Sequence, residues 1–183
     1  MIRTIVAQKY ARGLFAVGQE RDRFKEYGEE LKRVGDFLSS QPEILEVLQS
    51  PIYPPDLKME IVEEIIKGLS LDEEVARFLK LLVEKKRIQF IAEIIEAYDE
   101  LMDETLGIAR AEVQAAFDLE EEDKQRLAEI LKKLVGKEIK LRVVKMPELI
   151  GGIIVRVGDL VLDGSVRSQL ESFRESIIKG EVA

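Results

Sequence analysis

Apolar side chains recur at helical spacing through the first 106 residues. Val6, Tyr10, Leu14 and Val17 fall at i, i+4, i+8 and i+11, and Phe24, Tyr27, Leu31, Val34 and Leu38 alternate steps of three and four. Each set lies on one face of a helix with 3.6 residues per turn, and neither fits a strand. Ser40-Gln41-Pro42-Glu43 predicts a capping box with Pro in the first turn, opening a short helix through Leu45 and Leu48. The Pro-rich stretch Ser50-Pro51-Ile52-Tyr53-Pro54-Pro55 reads as a turn. A helix with Leu57, Ile61, Ile65 and Ile66 follows and is expected to stop at Gly68. The next carries Val75, Phe78, Leu79, Leu82 and Val83, and a sixth carries Ile88, Ile91, Ile95, Tyr98 and Met102. Six helices joined by short turns predict an all-helical bundle.

At Gly107 the period changes. Ala111, Val113, Ala115 and Phe117 alternate with polar residues from Ala109 onward, which is strand patterning. Glu120 to Val135 returns to helix, with Leu127, Ile130, Leu131, Leu134 and Val135 assigned to one face and Gly136 as the stop. Ile139, Leu141 and Val143 mark a second strand, and Ile153, Val155 and Val157 a third. Gly158-Asp159 fits a two-residue hairpin into Leu160-Val161-Leu162. A last helix carries Val166, Leu170, Phe173 and Ile177. The expected fold class is therefore α+β: an N-terminal six-helix bundle over 1–106, then a small α/β domain over 107–183 in the order β-α-β-β-β-α.

Charge narrows the partners. The 183-residue chain has a formal net charge of -8. Residues 1–106 carry 15 basic and 22 acidic side chains, a net of -7, and residues 107–183 carry 13 and 14, a net of -1. Neither half offers the basic face that binding a phosphate backbone requires, and no stacking aromatics interleave the strands, so no nucleic acid is expected as a partner. Cys and His are both absent. That removes disulfides, thiolate and imidazole metal ligands, and the imidazole base of a Ser–His pair. Met1-Ile2-Arg3-Thr4-Ile5-Val6-Ala7 is too short an apolar run for a signal peptide, and the longest strongly apolar run, Leu149 to Val155, falls far below the ~20 residues of a spanning helix. A cytoplasmic protein is expected.

Candidate chemistry is thin. Glu120-Glu121-Glu122-Asp123 sits at a helix start, where carboxylates favour the positive end of the dipole, and the mid-loop Gly of a calcium loop is missing. Gly151-Gly152 and Gly158 match no phosphate-binding fingerprint and read as a tight strand entry and a hairpin turn. Lys85-Lys86-Arg87 reads as a solvated helix end. No spacing marks an activated nucleophile, so no enzyme, cofactor or metal is expected. What remains is surface: Leu81 lies off the core stripe of its helix, and Ala7, Ala11 and Gly13 surround Tyr10 and Leu14 with small side chains that would admit another helix closely.

Several segments carry a family resemblance. Tyr10-Ala11-Arg12-Gly13-Leu14-Phe15 resembles the opening motif of the ATP synthase delta subunits, the family of the mitochondrial oligomycin-sensitivity-conferring protein. Ser50-Pro51 with Lys58, and Phe78-Leu79 with Arg87, resemble its middle motifs. Leu149-Ile150-Gly151-Gly152-Ile153-Ile154-Val155-Arg156-Val157-Gly158-Asp159, continuing to Asp163-Gly164-Ser165-Val166, is similar to its C-terminal block and is the most specific match. Met146 stands where the family often has an acid, and Gly13 where it usually has Ala. The resemblance implies a non-catalytic stator subunit, peripheral to the membrane through its complex. The bundle would bind the N-terminal helix of a head alpha subunit in a groove between the first and fifth helices, through Tyr10, Ala11, Gly13, Leu14 and Leu81. The C-terminal domain would meet the C-terminal region of the peripheral-stalk b subunits, with Phe173 on the last helix as one contact. A nucleic-acid or ribosome-associated adaptor is the alternative, and a small hydrolase a third reading without a nucleophile elbow.

Overall fold

Helix α1 (Ile5–Glu20) turns a different stripe inward from the one its large side chains suggest. Its buried residues are Ala7, Ala11, Leu14, Phe15 and Gly18, while Val6, Tyr10 and Val17 are half-buried beside them. Small side chains let α2 (Phe24–Ser40) approach closely: a Cβ on Gly18 would come within 2.8 Å of the Phe24 Cα. Phe15 fills the space alongside, edge-on to Phe24 and Tyr98 with ring centroids 5.6 and 5.3 Å apart. The buried Tyr98 hydroxyl donates to the Phe24 carbonyl at 2.9 Å, and burial pushes its pKa up. On α2 the expected stripe holds, since Tyr27, Leu31, Val34 and Leu38 are all buried.

The expected capping box does not form. Helix α2 runs through Ser40, whose hydroxyl bonds back to the Phe37 carbonyl at 2.8 Å, and α3 (Pro42–Gln49) starts from Gln41 without a side-chain cap. Pro42 does occupy the first turn. After the Pro-rich turn, α4 (Pro55–Leu69) continues past Gly68 and ends at Ser70, which takes the left-handed conformation at φ 49°. Lys58 on α4 is a buried cation that donates to the Ser50 carbonyl at 2.6 Å, tying the helix to the turn before it. Helix α5 (Glu73–Glu84) buries Val75, Phe78, Leu79, Leu82 and Val83 as expected. A 3-10 turn at Ile88–Phe90 leads into α6 (Ile91–Thr105), which buries Ile91, Ile94, Ala97 and Tyr98.

This computed structural model describes residues 5–179, without the side chains of Ser172 and 175–179, so the expected helix position Ile177 lies outside the described side chains. The chain divides into two compact units, residues 1–102 and 103–183.

In the second unit β1 (Ile108–Ala115) is the hub of a four-stranded mixed sheet ordered β2-β1-β3-β4. Strand β2 (Glu138–Lys145) pairs parallel to β1, reached through the crossover helix α7 (Glu121–Val135). Strand β3 (Ile153–Val157) pairs antiparallel, bringing Val155 opposite Val113, and the hairpin at Gly158-Asp159 returns it into the edge strand β4 (Leu160–Asp163). Ala111, Val113, Val155 and Val157 form one face of the sheet, closed by Leu131 of α7. Two expectations fail here. Phe117 lies beyond the end of β1 and is 70% exposed, and Ile130 and Leu134 of α7 point to solvent because Leu127, Leu131 and Val135 already fill the width of the contact. Gly136 does end α7 in the left-handed conformation. At its start, Glu121 and Glu122 pair with Lys124 and Arg126 one turn on.

The β-α-β-β-β-α order closes with α8 (Val166–Lys179), entered through a knot of backbone contacts. Gly152 has φ +76°, and a Cβ there would stand 2.2 Å from the Gly164 carbonyl oxygen. Only glycine fits both conditions. Val166, Leu170 and Phe173 of α8 are exposed.

Candidate partner-binding groove

Tyr10 of α1 and Phe78 of α5 meet edge to face with ring centroids 6.3 Å apart. Above this contact the two helices leave an apolar groove of about 500 Å³, lined by Lys9, Tyr10, Gly13, Leu14, Val17, Glu74, Arg77, Phe78 and Leu81. Four of the five expected contact residues, Tyr10, Gly13, Leu14 and Leu81, therefore share one surface. Leu81 is 39% exposed because the rest of the apolar set on α5 faces the core. A Cβ on Gly13 would meet nothing within 4 Å, so glycine here widens the groove without being needed for packing.

Ala11 is the exception. It has no exposed surface, belongs to the bundle core and does not line the groove. At four residues from Ala7 and seven from Gly18 it falls on the inward stripe of small residues, one position round from Tyr10. Sequence reasoning in turn missed Val17 and Phe78 as groove residues. Val17 stood in the large-residue stripe of α1, which is the signal that could have found it; Phe78 serves both the core and the groove floor.

One end of the groove is bounded by charge. Arg21 reaches Glu74 at 2.6 Å, and Arg77 bridges Glu73 and Glu74 on its own helix. Beneath them Asp72 caps α5: its carboxylate accepts from the Glu74 N–H at 3.0 Å and pairs with Arg23 at 2.5 Å, while its own N–H donates to Glu30 at 2.7 Å. The Glu74 N–H foremost, and the Arg23 guanidinium after it, hold the Asp72 carboxyl below the ordinary carboxylate value against the opposing effect of burial. A depressed folded pKa contributes stability that is complete above the unfolded value of 3.8 and is lost as pH falls through the folded value. Acid unfolding followed by circular dichroism should show this as a loss of stability below about pH 4 that is shallower in Asp72→Asn, because Asn retains the cap and removes the titration. Equal pH slopes for the two chains would show that Asp72 carries none of it.

A second apolar depression of about 560 Å³ lies between α2, α3 and α4, lined by residues including Phe37, Ile44, Leu57, Ile61 and Leu69, with Glu60 and Glu64 on its rim. Among the described residues no group of acidic side chains could hold a metal ion, and no helix is long and apolar enough to cross a membrane.

Comparison with known proteins agrees with the pattern of motifs. Residues 6–177 match the family model described as ATP synthase delta (OSCP) subunit. The ATP synthase subunit delta of Desulfotalea psychrophila is 36% identical over 97% of this chain and 98% of its own length. That of Syntrophobacter fumaroxidans is 38% identical over 96% of each. A chain of the cryo-EM structure of the Toxoplasma gondii mitochondrial ATP synthase hexamer shares the fold, with a TM-score of 0.72 over 96% of this chain and 98% of that one at 18% identity.

Proposed function

This chain belongs to the ATP synthase delta (OSCP) subunit family, and from that premise we propose that it is a stator subunit of an F-type ATP synthase, joining the catalytic head to the peripheral stalk without a reaction of its own. Proton flow turns the central rotor, and ATP is made only if the head does not turn with it. The subunit supplies part of that resistance through surfaces that grip other chains. It works at the cytoplasmic face of the inner membrane, peripheral to the bilayer through the complex.

The observation that carries the reading is the α1–α5 groove. Its floor is apolar, its width is set by Gly13, and its rim residues Lys9, Glu74 and Arg77 can meet the polar flanks of an amphipathic helix. The occupant is the N-terminal helix of a head alpha subunit, held by Tyr10, Gly13, Leu14 and Leu81, with Ala11 supporting them from the core. The C-terminal unit meets the C-terminal region of the b subunits. Its support is the exposed row Val166, Leu170 and Phe173, spaced i, i+4 and i+7 on α8 as a seam for another helix.

Titration calorimetry of the full chain with a synthetic peptide of the alpha subunit's N-terminus tests the groove. One peptide should bind per chain, and Leu81→Asp should weaken it at least tenfold, about 1.4 kcal/mol, by setting a carboxylate against apolar surface. Because Leu81 is partly exposed, the variant should keep its helical content. A folded Leu81→Asp chain that binds as tightly as the unaltered one would remove the groove from consideration.

A further inference from the structure

The C-terminal motif block contributes nothing to the groove, yet its residues interlock. The Val166 N–H donates to the Gly151 carbonyl at 2.9 Å, and the Gly164 N–H to the Ile153 carbonyl at 2.9 Å. Gly152 lies directly under the Gly164 carbonyl. Ser165 is buried and caps α8, its hydroxyl accepting from the Ser168 N–H at 3.2 Å. Asp163, the last residue of β4, accepts from the Ser165 N–H at 2.9 Å and from the Ser168 hydroxyl at 2.6 Å. The glycine turn that opens β3 and the acid that ends β4 thus hold the same helical turn from two sides.

Most helices are held in place by packing an apolar face. The described apolar residues of α8, Val166, Leu170 and Phe173, are instead exposed, and the described bonds that tie this helix to the sheet gather at its first turn. We infer that the Gly151-Gly152 turn and the Asp163–Ser165–Ser168 cluster form a positioning device that aims α8, with Asp163 and Ser165 as positioning residues for the stalk contact. This rests on the reading above in which the b subunit's C-terminal helix docks on Val166, Leu170 and Phe173. A partner that binds only one orientation of α8 loses apparent affinity in proportion to the fraction of chains that hold it.

The test uses the full chain carrying Asp163→Ala with Ser165→Ala, read by amide hydrogen exchange and by titration with the soluble C-terminal segment of the b subunit. Loss of the cap should speed exchange of the α8 amides about five- to tenfold while β1 and β3 amides keep their rates, and should weaken b binding by a similar factor. Asp163→Asn keeps an acceptor for the Ser165 N–H and should stay within about twofold of the unaltered chain in both readouts. If the double variant loosens β1 and β3 as well, Ser168→Ala, which removes the hydroxyl's bonds to Asp163 and Ser165 but leaves the Ser165 cap on the Ser168 N–H, should still weaken b binding at least about twofold with the sheet amides unchanged. An unaltered chain that does not bind the b segment, or a Leu170→Asp chain that binds it equally well, overturns the stalk reading itself. With normal binding by the unaltered chain, α8 exchange that does not respond to the double variant overturns the device alone, and so does faster exchange with unchanged affinity.

Discussion

Gly152→Ala should cost the C-terminal unit at least about 3 kcal/mol. An L-residue in the left-handed region costs roughly 1–2 kcal/mol, and here the added carbon would stand 2.2 Å from a backbone oxygen that has no rotamer by which to retreat. The sheet and the start of α8 must part to admit it. Stability of a unit this size is of order 5–10 kcal/mol, so the loss is a large fraction. Hydrogen exchange should show amides of β1 and β3 opening more than about 100-fold faster, while those of α2 and α5 in the helical unit keep their protection. Gly136→Ala is the control. Its φ is +73° but its Cβ would meet nothing within 4 Å, so only the conformational cost of about 1 kcal/mol applies. Equal effects from the two substitutions would show that the close approach at Gly152 is not what excludes a side chain.

The second large effect has opposite signs in stability and binding. Gly13→Leu places a strong helix former in the middle of α1, in open space, and should stabilise the helical unit by about 0.5–1 kcal/mol. The same side chain would fill the groove between Tyr10 and Leu81, and peptide affinity should fall about 100-fold, near 2.7 kcal/mol. Thermal melting and calorimetry on one sample decide it. A chain that melts higher yet binds normally would mean that the partner helix does not lie across Gly13; a chain that melts lower would mean that α1 packs differently around this residue.

Much of this was legible from side-chain spacing. Helix α2 could be read directly because only one of its faces is apolar, and that face is in the core. Strand β1 alternates because α7 covers the side of the sheet carrying Ala111, Val113, Val155 and Val157, while Val143-Val144 in β2 and Ile153-Ile154 in β3 interrupt the same pattern without hiding it. Helix α1 misled because it is apolar on two faces. Its large residues Tyr10 and Val17 face the groove, while Ala7, Ala11 and Gly18 do the close packing. Large apolar side chains mark a stripe more readily than Ala and Gly do, and a small residue admits a helix of its own bundle as closely as one from a partner, so spacing alone does not say that Ala11 faces the core. The same limit applies to Ile130 and Leu134, since periodicity reports which residues share a side of α7 and not how wide a surface lies opposite. Helix ends depended on one or two competing local bonds: Ser40 turned back to Phe37, and the left-handed position fell to Ser70 when Gly68 stood two residues too early. The Gly152 constraint was visible only as a doubled glycine, because the atom that forbids a side chain belongs to Gly164, twelve residues on.

Strand β4 is four residues long, lies at the edge of its sheet, and exposes Leu160, Val161 and Leu162. Unpaired backbone beside such side chains is a template on which a second copy could add a strand. The brackets are acidic: Asp159 stands in the hairpin and Asp163 ends the strand, kept ionised to lower pH by the Ser168 hydroxyl and the Ser165 N–H. Two copies aligned edge to edge would bring these carboxylates together. Charge at both ends of a short apolar segment thus works against edge-to-edge pairing of free copies.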